Sequence, residues 1–282
     1  MIISDKGYLT KNNEDSAFVG SNFAILVDGA TGIGINNLID GQTSASYFSN
    51  SLTNYFSENI DKLNSKFEKE FIKKFLSNAI IKIKEDYDKK IINMQNSDET
   101  YPSATLSLFL HDNEFAYFYW IGDSPINIEK KDGTFELLRD LTIPNLDNKI
   151  INKFSVFVKN GLNFNEAREK VELDLIEQRH LKNMNNGYWI ASLDTLEWID
   201  HINYKKLNLD SIKSIVLYSD GFFSADSLYH IYDLENNIPE EPEFKKILKK
   251  IRDVENNDID VIKYPRLKIG DDATAVLIEL EK

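Results

Sequence analysis

The stretch Phe23-Ala24-Ile25-Leu26-Val27-Asp28-Gly29 constrains the chain more than any other. An unbroken apolar run with β-branched residues, ended by turn chemistry, reads as a buried strand. Its last side chain leaves the sheet at an edge, where a carboxylate can face water or a cation. The segment Ser214-Ile215-Val216-Leu217-Tyr218-Ser219-Asp220-Gly221 repeats the arrangement. Taken alone, an Asp-Gly pair after a strand is a turn signal. A functional reading therefore has to rest on the other acids that the chain places in the same way.

Composition narrows the function classes. A length of 282 residues is ample for a sizeable core. The net charge of −13, from 33 basic and 46 acidic residues, is spread along the chain. It argues against nucleic acid or an anionic membrane surface as the main partner and suits cations. The absence of cysteine removes disulfides and thiolate sites. The four histidines, His111, His180, His201 and His230, lack the spacing of a zinc site. No basic leader precedes an apolar segment, and no apolar run approaches the roughly 18 residues of a membrane helix. A cytoplasmic protein is the expectation.

Along the chain, short strands up to Val19 flank a turn at Asp5-Lys6-Gly7 and carry Asn13-Glu14-Asp15. Adjacent Glu14 and Asp15 point to opposite faces if extended, so one of them is expected to enter a given site. The glycines after Asp28 run Gly29-Ala30-Thr31-Gly32-Ile33-Gly34, which matches neither phosphate-cradling glycine pattern. A Tyr-x-x-x-Lys pair, Tyr264 and Lys268, has Pro265 between its members, against the helix a dehydrogenase would need. A nucleotide cofactor is therefore not expected. Residues 41–59 and 67–93 read as helices, with Phe67, Phe71, Phe75 and Ala79 forming an apolar stripe. From Pro102 to Arg139 the period changes to that of successive antiparallel strands, with Asp123 at the Gly122-Asp123-Ser124-Pro125 turn. Residues 140–205 are helix-rich, charged, and expected to form an inserted flap. Helical sequence then follows Gly221, and Asp271-Asp272 opens a last strand at Ala273.

Acids at strand ends thus recur at Glu14/Asp15, Asp28, Asp123, Asp220 and Asp271/Asp272. Gathered carboxylates repel and need cations to hold them together. Ligation by oxygen alone selects hard ions such as Mg²⁺ or Mn²⁺. In order and spacing, the chain resembles the metal-dependent protein serine/threonine phosphatases of the type 2C family, bacterial members especially. The likeness runs through Asn13-Glu14-Asp15, Val27-Asp28-Gly29 with Gly32, Ser103-Ala104-Thr105, Ile121-Gly122-Asp123-Ser124, Ser219-Asp220-Gly221 and Asp271-Asp272-Ala273-Thr274.

That resemblance implies an α+β fold, a four-layer α-β-β-α sandwich of two antiparallel sheets flanked by helices, as one phosphatase-like domain. It implies two Mn²⁺ or Mg²⁺ ions, with Asp28 bridging them. The Gly29 carbonyl and Glu14 complete one site, Asp220 and Asp271 hold the other, and Asp123 with Asp220 takes a third ion. The implied reaction is hydrolysis of phosphoserine and phosphothreonine in proteins by a metal-bridging water, with a cognate kinase as partner. Two positions depart from the family pattern. Ala30 stands where many relatives carry histidine, and Thr10, followed by Lys11, stands where they carry a phosphate-binding arginine. Lys11 can supply a point charge but not a guanidinium fork, while Arg139, Arg168 and Arg179 lie in or near the flap. These departures leave a second reading open, a catalytically weak phosphoprotein-binding regulatory module.

Overall fold

The computed structural model of the chain describes residues 1–7, 12–30, 39–91 and 101–280. The first strand, β1 (Ile2–Asp5), is followed by β2 (Asp15–Val19) and β3 (Phe23–Ala30). Helices α1 (Ser44–Asn59) and α2 (Lys69–Ile91) come next, then β4 (Ser103–His111), β5 (Phe115–Ile121), β6 (Ile126–Lys130) and β7 (Phe135–Leu138). Three helices, α3 (Thr142–Lys159), α4 (Phe164–Lys170) and α5 (Glu172–His180), precede β8 (Ala191–Ser192), β9 (Asn203–Asn208) and β10 (Ile212–Tyr218). The chain closes with α6 (Asp220–Ser227), α7 (Glu241–Asn257) and β11 (Ala273–Glu279).

The strands form two antiparallel sheets. One runs β1-β11-β10-β6-β7; the other runs β2-β3-β4-β5-β9, with β8 paired to β4. Strand alternation explains how they stack. On β3, Ala24 and Leu26 face the second sheet and meet Phe118, Ile128, Leu217 and Val276 in a core between the sheets. The alternate residues Phe23, Ile25 and Val27 face the other way, onto Phe48, Leu52 and Phe56 of α1 and Ile72, Leu76 and Ile80 of α2. On the far side, Val216 and Tyr218 of β10 meet Phe222 of α6 and Phe244, Ile247 and Ile251 of α7. The four-layer order implied by the sequence is therefore present.

Local chemistry sets the helix boundaries. Thr43 caps α1, its hydroxyl accepting from the Ser46 N–H at 3.1 Å. The buried face of α2 carries Ile72, Phe75, Leu76, Ala79, Ile80, Ile83 and Tyr87. Phe71, expected in that stripe, is 45% exposed because Ile72 takes the inward position at 100° per residue. Within the helix-rich 140–205 segment, Val171 ends α4 and caps α5. Strand β7 falls within the expected strand series, whereas β9 was not expected; it lies at a sheet edge, where half-exposed residues such as Lys205 and Lys206 blur the apolar pattern.

The α3–α5 helices have a small core of their own, in which Ile150, Phe154, Val158, Ala167 and Val171 pack with Val261 from the segment after α7. They are thereby tied to the end of the sandwich where β11 begins. The inter-sheet core carries most of the fold's apolar burial near the site. Phe118, fully buried there, is expected to cost about 3–5 kcal/mol on replacement by alanine, measured by denaturant unfolding.

Candidate active site

Strand alternation turns Asp28 and its cross-strand neighbour Asp15 to one face, and the turns at the ends of other strands bring Asp123 and Asp220 to the same end of the sandwich. Asp28 continues the Ala24/Leu26 face of β3, so it points between the sheets beyond the apolar core. Asp15 pairs with Asp28 across β2 and β3, and Thr105 pairs with it from β4. From the opposite sheet, β10 ends at Tyr218, Ser219 caps α6, and Asp220 opens that helix, where a carboxylate suits the positive helix end. The Ser219 N–H donates to the Thr274 carbonyl and the Thr274 N–H to the Ser219 hydroxyl, each at 2.9 Å, joining this exit to the start of β11.

Backbone contacts fix the remaining acids. The Gly29 N–H donates to the Glu14 carbonyl at 3.1 Å. A Cβ on Gly29 would stand 2.8 Å from that oxygen, so only glycine lets β3 approach so closely. Gly122 reaches its turn with φ +80°, which directs Asp123 inward beside Thr105. Asp272 is not on the pocket wall. Its buried carboxylate accepts the Gly7 and Glu14 N–H groups, each at 2.7 Å, and so stitches one sheet to the other. Asp271 is held by its main chain: its N–H donates to Glu255 at 3.3 Å, and its carbonyl accepts from Arg252 at 2.8 Å.

The result is a cavity of about 270 Å³ with two chemically opposed sides. Glu14, Asp28, Gly29, Asp123 and Asp220 line the sandwich side, with Ala30 beside them. Arg168, Arg179, His180 and Lys182 line the side formed by and after α4 and α5. Lys182 is engaged in an ion pair with Asp194 at 3.0 Å. No ion pair or hydrogen bond engages the Arg168 or Arg179 side chain among the described residues. Burial, then the neighbouring Arg179 charge, draw the Arg168 guanidinium below its ordinary range. Asp147 of α3 also lines the cavity and accepts a hydrogen bond from Gln178 of α5. Thr10 and Lys11 lie outside the described residues.

Crowding of acids shows in their proton affinities. Burial is the first cause in each case. It raises Asp28 well above the usual carboxylate range, with the charges of Asp15, Asp220 and Asp271 adding to it. Asp123 is raised in the same way, with Asp220 and Asp147 contributing. Asp15, only 7% exposed, is pushed up to about 7 by burial; the nearby Thr274 hydroxyl opposes the shift, and Asp272, Asp271 and Asp220 reinforce it. Asp271 also rises to about 7 through burial, against the opposing charge of Lys268.

Against known families, residues 11–158, just over half of the chain, match the model of Protein phosphatase 2C. The chain belongs to the protein phosphatase 2C family. By family it is a protein serine/threonine phosphatase, and the family is metal-dependent. Its fold is that of the Staphylococcus aureus serine/threonine phosphatase Stp1, at TM-score 0.58 and 13% identity, covering 100% of this chain and 94% of the other. Mycobacterium tuberculosis PstP/Ppp gives TM-score 0.58 at 17% identity, with 100% and 98% covered. PppA of Pseudomonas aeruginosa, described as a key regulatory component of T6SS, gives 0.55 at 13%, with 98% and 95% covered. No curated protein sequence matches the chain.

The donor set suits the family's hard cations. It is all oxygen, and neither carboxylate oxygen of buried Asp15 has a hydrogen-bond partner among the described residues. Glu14, Asp28, Asp123 and Asp220 line the cavity, Asp271 lines a smaller neighbouring one, and no three acids stand close enough to grip an ion among the described residues. A metal-free phosphatase 2C of this kind should feel its acids through pH. Asp15 and Asp271 bind protons more tightly folded than unfolded, so the stability they contribute is present at low pH and lost as pH rises through about 7. In EDTA the melting temperature should fall from about pH 5 to about pH 8, and fall less in Asp15→Asn. A rise over that range would contradict the assignment.

Proposed function

We propose that this phosphatase 2C hydrolyses phosphoserine and phosphothreonine side chains of cytoplasmic proteins, using Mn²⁺ or Mg²⁺. The ions would be held by Glu14, the Gly29 carbonyl, Asp28, Asp220 and Asp271, with Asp123 and Asp220 offering a third position. The observation that carries this reading is the division of the cavity into a carboxylate floor and a wall with two unengaged guanidiniums. The floor calls for cations and the wall for an anion, and a phosphoryl group between them answers both.

When bound, the ions supply Lewis acidity and lower the pKa of water near the phosphorus. The chain's own residues do the rest. Asp28, on which the charges of Asp15, Asp220 and Asp271 all act, would be a ligand of both principal ions. Arg168 and Arg179 orient the phosphoryl oxygens and offset the charge that grows on them. With Thr10 in place of the family's arginine, they are the guanidiniums that line the cavity. Helices α3–α5 act as a flap, with Leu175 and Tyr188 beside the cavity restricting water. A partner kinase that installs the phosphate completes the signalling pair.

A second reading, a phosphoprotein-binding module of little activity, draws on one observation: Asp271 is already ion-paired to Lys268. Hydrolysis of p-nitrophenyl phosphate and of a phosphothreonine peptide, with Mn²⁺ and in EDTA, separates the two. Metal-dependent turnover is expected, and Asp28→Asn and Asp220→Asn should each lower it by at least roughly a hundredfold, more than outer-shell changes cost. Turnover retained in both variants would refute the assignment. Peptide binding without turnover would establish the module. Arg179→Ala should raise KM for the peptide by about tenfold while kcat falls less, since it removes binding to the phosphoryl group before and during reaction.

A further inference from the structure

The floor of the cavity already contains a cation of the chain's own. The Lys268 ammonium donates to both carboxylate oxygens of Asp271, at 2.8 and 2.7 Å. Asp271, Asp220 and Asp28 are the charges that act on it most strongly. Lys268 stands between the main cavity and a smaller one of about 170 Å³. Asp147, Asp220 and Leu267 line both cavities as well.

How Lys268 is mounted matters as much as where it points. Its loop is braced by Arg266, which donates to the Asp258 carboxylate at 2.7 Å, the Asp258 carbonyl at 2.7 Å and the Ile269 carbonyl at 2.9 Å. The Asp258 carboxylate in turn accepts the Lys263 and Tyr264 N–H groups, each at 3.0 Å. The side chain itself is 61% exposed. A fixed backbone thus presents a flexible four-carbon stem whose charge can leave into water at little cost. Asp271 differs on every count, being one-quarter exposed and gripped at both main-chain groups. If a competitor arrives, the lysine can move and the aspartate cannot.

We propose that Lys268 is a built-in counter-ion of the metal-free site, which occupies the Asp271 carboxylate until a divalent cation displaces it. This rests on the reading of Asp271 as a metal ligand. The ammonium offsets part of the repulsion among Asp28, Asp220 and Asp271 when no metal is present. It also competes with the ion that Asp271 would hold, so metal affinity at that position is lower than the carboxylates alone would give. The site then fills and empties with the surrounding divalent concentration instead of holding its ion permanently.

The test is calorimetric titration of Mn²⁺ into the EDTA-stripped, full-length protein, with thermal melting of the same samples before metal is added. Lys268→Gln removes the charge and keeps most of the stem; Lys268→Arg keeps the charge. The glutamine variant should bind its tightest Mn²⁺ about three- to tenfold more strongly, the range set by a partly exposed ion pair. It should also melt lower than wild type without metal, while the arginine variant stays near wild type in both. Unchanged or weaker Mn²⁺ binding by the glutamine variant would overturn the inference while leaving the metal site intact. The same holds if Mn²⁺ affinity is unchanged and KM for a phosphopeptide rises, which would make Lys268 a substrate contact. Binding by neither wild type nor variant would overturn the metal-centre reading and the inference together.

Discussion

Carboxylates drawn into a partly dry space repel one another, and the surroundings of this site are arranged against that repulsion. Four main-chain ties hold the acids in place. Gly29 binds the Glu14 carbonyl, Asp272 binds the Gly7 and Glu14 amides, Ser219 and Thr274 exchange hydrogen bonds, and Arg252 with Glu255 grips Asp271. Each tie joins segments far apart in sequence, and the Asp272 bonds cross from one sheet to the other. Glu14 and Asp271 are held in these ties by their amides and carbonyls, whereas Asp272 spends its carboxylate on the tie and stays off the cavity wall. Arg252 is itself fixed by Asp5 and Glu255, at 3.0 and 2.7 Å, which extends the bracing to α7 and β1.

Much of this was legible in the sequence, for definable reasons. The runs ending at Asp28 and Asp220 are apolar enough to be buried on both faces, so their exits could be read without a partner strand. The α-β-β-α order followed from a resemblance carried by motifs spread from Asn13 to Thr274. Less legible were features that depend on register. Asp15 is one of two adjacent acids, and only its pairing opposite Asp28 separates its buried carboxylate from Glu14, which lines the cavity. Asp147 was hidden in a charged helical stretch and reaches the cavity because α3 packs back toward Val261. In the sequence Lys268 stands out only as half of a Tyr-x-x-x-Lys pair, and nothing local marks it as a neighbour of Asp220 and Asp28. The polar edge strand β9 is not legible because an edge strand need not alternate cleanly.

The helices between β7 and β8 give the site a second chemical character. The sandwich supplies oxygen ligands from the ends of strands, whereas α4 and α5 supply guanidiniums. Neither half alone defines a phosphoryl site: acids without a facing base would bind metal salts, and arginines without the acids would bind any anion. Their meeting depends on the contact of α3 and α4 with Val261, in the same segment that carries Lys268 and leads into Asp271.

None of the residues of α5 is buried, although Arg179 and Gln178 both reach the cavity from it. Substitution on such a helix disturbs little packing, whereas Asp28 is paired on both sides, with Asp15 of β2 and Thr105 of β4. Descendants of this chain could therefore exchange the residues that face a substrate protein generation by generation, while inheriting the chemistry beneath almost unaltered.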